Sequence, residues 1–163
     1  MKKLSLSILA ILTLFAVWAC NEDSIGQETP ENNQQAVGSF LIRQSDGFLQ
    51  LLTLADGGVA FSQNSDQRAL PAPFGDQQGA WKSTAEQDIK VTTLDFVYDF
   101  DDGTFTGYGL STFTGSFDNQ FNELTGNVLV EIFGPDQDPL DPDEEPTNMF
   151  GPITFDGTCI TVD

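Results

Sequence analysis

The residues that could carry out chemistry are few in this sequence. Its 163 residues include two cysteines and no histidine. Without histidine the commonest general base and metal ligand is missing, so a Ser-His-Asp arrangement and a Cys/His zinc site are both excluded. No basic residue lies beside Cys159 in the sequence to activate its thiol as a nucleophile. We therefore expect neither an enzymatic activity nor a cofactor.

A cluster of carboxylates is the next candidate. The segment GPDQDPLDPDEEP, residues 134–146, is rich in aspartate, glutamate and proline. Calcium prefers clustered carboxylates on irregular backbone, and the candidate ligands are Asp136, Asp138, Asp141 and Asp143. The spacing excludes an EF-hand, because the sixth position counted from Asp136 is an aspartate rather than glycine. The alternative is a solvated acidic loop that binds no metal, which the prolines favour by keeping the segment extended.

Cys20 ends an apolar stretch near the N-terminus. Residues 4–17 are mostly apolar, follow two lysines, and are too short to span a bilayer comfortably. The next residues, VWAC at 17–20, resemble the lipobox of bacterial lipoproteins. This predicts a lipoprotein signal peptide over residues 1–19 and lipid attachment at Cys20, with an ordinary signal peptide as the alternative. A lipidated Cys20 leaves Cys159 as a lone thiol, so we expect no intramolecular disulfide.

The expected lipid anchor determines where the protein resides. Several acyl chains, each methylene contributing about 0.8 kcal/mol, would hold Cys20 firmly at a membrane. Residues 20–36 are polar and should form a disordered tether. The acidic pair Glu22-Asp23 resembles the export signal of some Gram-negative surface lipoproteins. We therefore expect a lipid anchor in the bacterial cell envelope, at the outer membrane, facing either the periplasm or the exterior.

The charge balance excludes one class of partner. The chain has 6 lysines and arginines against 25 aspartates and glutamates, which gives a formal net charge of −19. Such a chain repels phosphate backbones, so we expect no binding to nucleic acid.

The elements that must position any site are strands. Residues 88–133 contain three long alternating runs separated by the turn signals at residues 101–103 and 118–120. In the first run, large apolar side chains at Phe96 and Tyr98 alternate with aspartates such as Asp95. We therefore expect the aromatic side chains to point inward and Asp95 to point outward, in an antiparallel meander.

The rest of the chain predicts shorter strands of the same kind. They lie at residues 37–43, 48–54, 59–62 and about 79–82, and a last strand over 149–162 is expected to be broken at Gly151-Pro152. The total is about eight antiparallel strands with no helical periodicity. Glycines spaced along the inner face favour curvature and closure, so we predict an all-β, up-and-down barrel over residues 37–163. A two-sheet β-sandwich is the alternative.

A family resemblance rests on two short motifs. Gly38-Ser39-Phe40 opens the first strand and Gly79-Ala80-Trp81 precedes the meander, as G-x-W elements do in lipocalin-like (calycin-type) barrels. The chain is similar to small bacterial lipocalin-like proteins over most of residues 37–162. This resemblance implies a cup that binds or carries a small hydrophobic ligand.

Aromatic residues are the candidates for the lining of such a cup. By strand parity we select Phe40, Phe61, Trp81, Phe96, Tyr98 and Phe113. Buried Trp81 and Tyr98 would each need a polar partner for the N–H or O–H. The alternative is that these aromatic residues fill the barrel.

A solid barrel would favour a protein-interaction or adhesion module that uses loops 64–78 and 134–147. A barrel isomerase or cyclase would require an acidic side chain inside the barrel. Because Asp95 is predicted to point outward, this requirement is not met.

Overall fold

The computed structural model describes residues 36–67 and 73–161. The predicted signal peptide, the predicted lipidation site Cys20 and residues 20–35 of the predicted tether lie outside these ranges. Ala36, which the prediction placed in the tether, is buried in the core. The described residues form eight strands: β1 (Gly38–Gln44), β2 (Leu49–Ala55), β3 (Val59–Asn64), β4 (Gln77–Ser83), β5 (Asp88–Tyr98), β6 (Phe105–Phe117), β7 (Glu123–Phe133) and β8 (Asn148–Cys159).

The eight strands close into one antiparallel barrel. Each strand pairs with the next along the chain, and β1 also pairs with β8, with Phe40 opposite Cys159. The prediction of an up-and-down barrel is confirmed, and the β-sandwich is not formed. Closure leaves no unpaired sheet edge in the described ranges, which removes a common route to edge-to-edge aggregation. In the same ranges, no helix is long and apolar enough to cross a membrane.

Side-chain carboxylates shape the tight turns of the meander. Asp99, at the end of β5, accepts a hydrogen bond from the backbone N–H of Asp101 at 2.8 Å. Gly103 adopts a φ of 71°, which favours glycine, and closes the turn through its N–H to the carbonyl of Asp99. In the next turn, the carboxylate of Asp118 accepts from the N–H of Asn122 at 2.8 Å. Asx turns of this kind explain why both predicted hairpins form where the sequence placed them.

The last strand is continuous, and the predicted break is instead a bulge. Val128 of β7 lies opposite Ile153 and Val130 lies opposite Phe150, so the register shifts across Gly151 and Pro152. Proline cannot donate to the ladder and is tolerated in a sheet at bulges. The strand therefore bends at this point and continues to Cys159, a half-buried free thiol.

Which face of each strand points inward was predicted correctly for two strands of the meander. On β6, Gly109, Ser111 and Phe113 are buried, and on β7 Leu124 and Val128 are buried, as the alternation indicated. Arg43 on β1 is exposed.

On β5 the predicted orientation was wrong. Phe96 is 53% exposed, whereas Asp95 is only 5% exposed and lies inside the barrel. The physical reason is a second aromatic group on the outer wall. Phe96 packs against Phe105 and Tyr108 of β6, with ring centroids 6.0 and 5.9 Å apart. Cross-strand aromatic pairs stabilise a sheet on either face, so large side chains do not by themselves mark the inside.

One part of the interior is filled with apolar side chains, and we call it the packed end. Its members come from all eight strands and form one cluster of buried residues, including Phe40, Leu52, Leu54, Ala60, Trp81, Ile89, Val91, Phe113, Phe117, Leu124 and Phe155. Aromatic rings interlock here, as in Phe40 with Phe117 at 5.4 Å between centroids. The packed end therefore provides the hydrophobic core that stabilises the barrel.

Candidate functional site

The rest of the interior is a cavity of about 500 Å³. It lies where β1, β3, β5 and β7 end and where β2, β4, β6 and β8 begin, and we call this the open end. Residues of the turn between β1 and β2, such as Asp46 and Phe48, and Phe74 of the β3–β4 connection also contribute to its wall. A volume of this size is typical of small-molecule pockets.

The cavity has an apolar side and a polar side. The apolar side is built mainly by β7, β8 and the end of β5, with aromatic residues toward the loops: Val97, Val128, Val130, Ile132, Phe150, Ile153, Phe48 and Phe74. The polar side comes from β1 to β6 and consists of Gln44, Gln50, Asn64, Gln77, Asp95, Ser111, with Asp46 and Asn148 nearer the loops. A molecule that fits both sides must itself be amphipathic.

Three glutamine amides on the polar side form a chain that ends on a carboxylate. Gln44 Nε2 donates to Gln50 Oε1 at 2.8 Å, and Gln50 Nε2 donates to Gln77 Oε1 at 3.2 Å. Gln77 Nε2 then donates to Asp95 Oδ2 at 2.9 Å. Gln50 and Gln77 each accept from one neighbour and donate to the next, which polarises the chain toward Asp95. The chain fixes the carboxyl of Asp95 as the final acceptor.

Hydroxyl groups complete this network. Ser62 Oγ accepts from Gln50 Nε2, and Thr93 Oγ1 donates to Gln77 Oε1 at 3.2 Å. Ser111 Oγ accepts from Gln77 Nε2 at 3.2 Å. The amides of Gln50 and Gln77 are each held by three or more partners, which fixes this part of the polar side.

One atom of the network is left without a partner. Asp95 Oδ1 is the single buried side-chain nitrogen or oxygen in residues 36–67 and 73–161 that makes no hydrogen bond. It lies over Gly109, its partner in the β5–β6 register, and a Cβ at position 109 would collide with Oδ1. Glycine at 109 therefore makes room for the carboxyl inside the barrel. A buried polar atom without a partner costs about 1–3 kcal/mol, so its presence calls for an explanation.

Burial changes the acidity of this group. Loss of solvation raises the pKa of Asp95 from 3.8 to about 6, although the hydrogen bond from Gln77 and the backbone N–H of Gly109 act in the opposite direction. The contact with Gly109 falls short of hydrogen-bond geometry, so it does not satisfy Oδ1. Since desolvation penalises the charged form, Asp95 exchanges its proton closer to neutral pH than an exposed aspartate does.

None of the six aromatic residues predicted to line a cup lines this cavity. Phe40, Trp81 and Phe113 do point inward, but they belong to the packed end. The indole N–H of Trp81 has the polar partner that was expected, the backbone carbonyl of Ala55 at 2.8 Å. These three residues therefore form the core, which was the alternative weighed for them.

The other three candidates lie on the outer wall, so their predicted inward orientation was wrong. Phe61 is 44% exposed because Ala60 and Ser62 take the inward positions of β3. Phe96 is exposed, and Tyr98 is half-buried beside Phe105, with ring centroids 6.3 Å apart. Near the cavity, the inner positions of β3, β5 and β6 carry small or polar side chains such as Ser62, Asp95 and Ser111.

The sequence contains a signal for the residues that were missed. At the start of β5, charged Asp88 and Lys90 alternate with apolar Ile89 and Val91. Extending that alternation along the strand places Thr93, and then Asp95, on the inner face.

The acidic loop at residues 134–147 joins β7 to β8 at the open end. Within the described residues, no three histidine, cysteine, aspartate or glutamate side chains come together to hold a metal ion. The candidate ligands Asp138 and Asp141 instead accept hydrogen bonds from the backbone N–H groups of Leu140 and Asp143, each at 2.9 Å. The structure therefore does not gather Asp136, Asp138, Asp141 and Asp143 into a calcium site.

The chain was compared with known proteins in three ways. No protein-family model, no curated protein and no solved structure matches it. The geometry of the cavity is therefore the basis for assigning a function to this chain.

Proposed function

We propose that this chain is a lipocalin-like barrel that binds a small amphipathic ligand in the cavity at the open end. The observation that carries the proposal is the cavity itself: a closed barrel with about 500 Å³ of its interior left unfilled. Protein interiors are normally packed to the density of organic crystals, and an unfilled space of this size forfeits stability. A ligand that fills it would recover those contacts.

The shape of the lining supports the same proposal. Aliphatic side chains such as Val130, Ile132 and Ile153 offer a surface for an apolar body. The polar side, ending at Asp95, offers hydrogen bonds to one polar group. A mainly apolar pocket with a few fixed polar groups is typical of small-molecule sites. The sequence predicted a small hydrophobic ligand. The polar side of the cavity adds the expectation that this ligand carries one polar group.

The expected lipid anchor at Cys20 fits this function. Amphipathic molecules partition into membranes, so a barrel tethered to the cell envelope by residues 20–36 would meet them at high local concentration. The acidic charge of the chain, −19 in total, makes nucleic acid an unsuitable partner.

The competing hypotheses are affected differently by the structure. The adhesion module was argued from a solid barrel, and the cavity removes that argument. The isomerase or cyclase gains support, because its requirement for an acid inside the barrel is met by Asp95. In that second candidate function, Asp95 would transfer a proton to or from a substrate bound in the same cavity.

A filled-cavity variant tests ligand binding directly. The probe is N-phenyl-1-naphthylamine, an uncharged dye whose fluorescence rises in apolar surroundings. We expect the purified protein to bind it, and Val130→Phe, which places a ring inside the cavity, to abolish binding. The matched control is Val59→Phe, the same change on the outer wall, where Val59 is 42% exposed. Equal dye binding by both variants, or none by the wild type, would contradict the proposal.

A further inference from the structure

We propose that the ligand is a small amphipathic cation, an amine or amidine whose charged nitrogen pairs with the carboxylate of Asp95. This inference rests on the proposed function and specifies its ligand. It begins from the carboxyl of Asp95, which lines the cavity and has no residue of opposite charge beside it there.

The network around Asp95 fixes the kind of group that can approach. Asp95 Oδ2 is already occupied by Gln77 Nε2, and Asp95 as a whole is only 5% exposed. The orientation of the amide chain directs donors toward the carboxyl and none away from it. An ionised carboxylate is an acceptor only, so a polar ligand atom placed against this carboxyl must carry a hydrogen.

The cavity also lacks a positive charge. No lysine or arginine lines it. Among the described residues, the basic side chains Arg43, Lys82 and Lys90 are all exposed, outside the cavity. Buried charges in proteins are usually paired with an opposite charge, since an unpaired one is costly. With its pKa raised to about 6, Asp95 is mostly ionised at neutral pH, so a cationic ligand would supply the missing partner.

The loops of the open end favour the same ligand charge. They carry acidic residues in every one of the four connections: Asp46; Asp66 and Asp76; Asp99, Asp101 and Asp102; and Asp136, Asp138, Asp141, Asp143, Glu144 and Glu145. In the described part of these connections there is no lysine or arginine. A ring of one sign around a low-dielectric cavity raises the local concentration of the opposite ion. Anionic amphiphiles are repelled at the same entrance.

Asp95 is the titratable group whose protonation should control ligand binding. The residues nearest Asp95 on the neighbouring strands are Gln77 of β4 and Gly109 and Ser111 of β6, and none of them titrates. Residues from β1, β2, β3, β7 and β8 that line the cavity are amides or apolar residues. Asp46, in the turn after β1, is the one other titratable residue of the lining.

Three probes share an octyl tail and differ in the charge of the head group. They separate the contribution of that charge to the affinity from the contribution of the apolar tail. They are octylamine, octan-1-ol and octanoate, measured by isothermal titration calorimetry in detergent-free buffer at pH 7.5. We expect octylamine to bind roughly 10–100-fold more tightly than octan-1-ol, the range that a hydrogen bond to a charged group supports, and octanoate to bind most weakly. Octylamine is protonated throughout the accessible pH range, so its affinity should fall as Asp95 is protonated below about pH 6.

Two variants and the dye distinguish a failure of the cationic-ligand proposal from a failure of the proposed binding function. Asp95→Asn should remove the preference for octylamine over octan-1-ol. Asp156→Asn makes the same change at an exposed residue of β8 and should keep the preference. The proposal of a cationic ligand is overturned if octan-1-ol or octanoate binds as tightly as octylamine. It is also overturned if the dye binds and octylamine does not. In both cases the proposed binding function stands. If neither the dye nor any octyl probe binds, the proposed function itself fails.

Discussion

The packed end and the open end are built from the same strands, yet their interiors differ in almost every respect. Along β6, Phe113 is buried in the packed end, whereas Ser111 and Gly109, one and two inward positions away, line the cavity. On β2, Leu52 and Leu54 contribute to the core, and Gln50 belongs to the amide chain. The change from apolar to polar takes place within a single strand, over two residues.

This difference separates, along the barrel axis, the end that stabilises the fold from the end where ligand binding is proposed. The packed end buries large apolar side chains, which is the dominant favourable contribution to folding. The open end leaves space unfilled and keeps a buried carboxylate without a charged partner, both of which lower stability. A fold can retain such a costly region where the core elsewhere compensates for it, and functional sites are where this is expected.

The comparison is tested most strongly by the same truncation at both ends. Phe113 is 1% exposed and packs edge-to-face on Phe155, with ring centroids 6.0 Å apart, whereas Phe150 at the cavity is 50% exposed. Phe113→Ala should lower the free energy of unfolding by about 3–5 kcal/mol. Phe150→Ala should lower it by about 1 kcal/mol or less, because the ring is already half in solvent. Urea unfolding monitored by circular dichroism measures both, and similar losses would show that the two ends do not differ.

The second largest effect concerns the pH dependence of stability. The folded state raises the pKa of Asp95 from 3.8 to about 6, so it binds this proton more tightly than the unfolded chain does. The stabilisation from protonation is therefore fully present below pH 3.8 and is lost as the pH rises to about 6. A shift of this size corresponds to about 3 kcal/mol, which the ionised carboxylate costs at neutral pH.

The variant Asp95→Asn isolates this contribution. Asparagine keeps an oxygen to accept from Gln77 but carries no charge, so the variant should gain stability over the wild type progressively between pH 4 and pH 6 and keep that gain at pH 8. The lowered pKa values of Asp102 and Asp118 affect both proteins equally and cancel in the difference. A difference in unfolding free energy that does not vary with pH would place Asp95 in solvent.

The smallest expected effect concerns the acidic loop of the open end. Because Asp138 and Asp141 hydrogen-bond to the loop's own backbone, we expect millimolar calcium to raise the melting temperature no more than magnesium does. Thermal unfolding with each metal chloride at equal ionic strength measures this. A specific increase with calcium would revive the metal site at Asp136, Asp138, Asp141 and Asp143 and would add a stabilising element to the open end.

Much of the fold could be predicted from the sequence, because it depends on local signals. The Asp-Asp-Gly turn at residues 101–103 and the alternating runs on both sides of it specified the hairpin of β5 and β6. Spaced glycines on β6 indicated a curved strand. Strand closure, with β1 pairing to β8, was inferred from these features and is confirmed.

The cavity could not be predicted in the same way, because its position depends on which face of each strand is inside. On β5 both faces carry apolar side chains, Ile89 and Val91 on one and Leu94 and Phe96 on the other. Size suggested that the aromatic face was inside, but cross-strand packing of Phe96 with Phe105 stabilises it outside. The two alternations on β5 therefore gave opposite orientations for Asp95, and the outward packing of Phe96 shows that the one set by Ile89 and Val91 is correct.

The central claim is that Asp95 lies inside a partly hollow barrel, and a ¹³C NMR titration of its carboxyl carbon tests this most directly. Assignment of the Asp95 resonance through its comparison with Asp95→Asn makes the measurement specific to this residue. We predict a titration midpoint near pH 6. A midpoint near 3.8, the ordinary value of an exposed aspartate, would contradict it and return Asp95 to the outer wall.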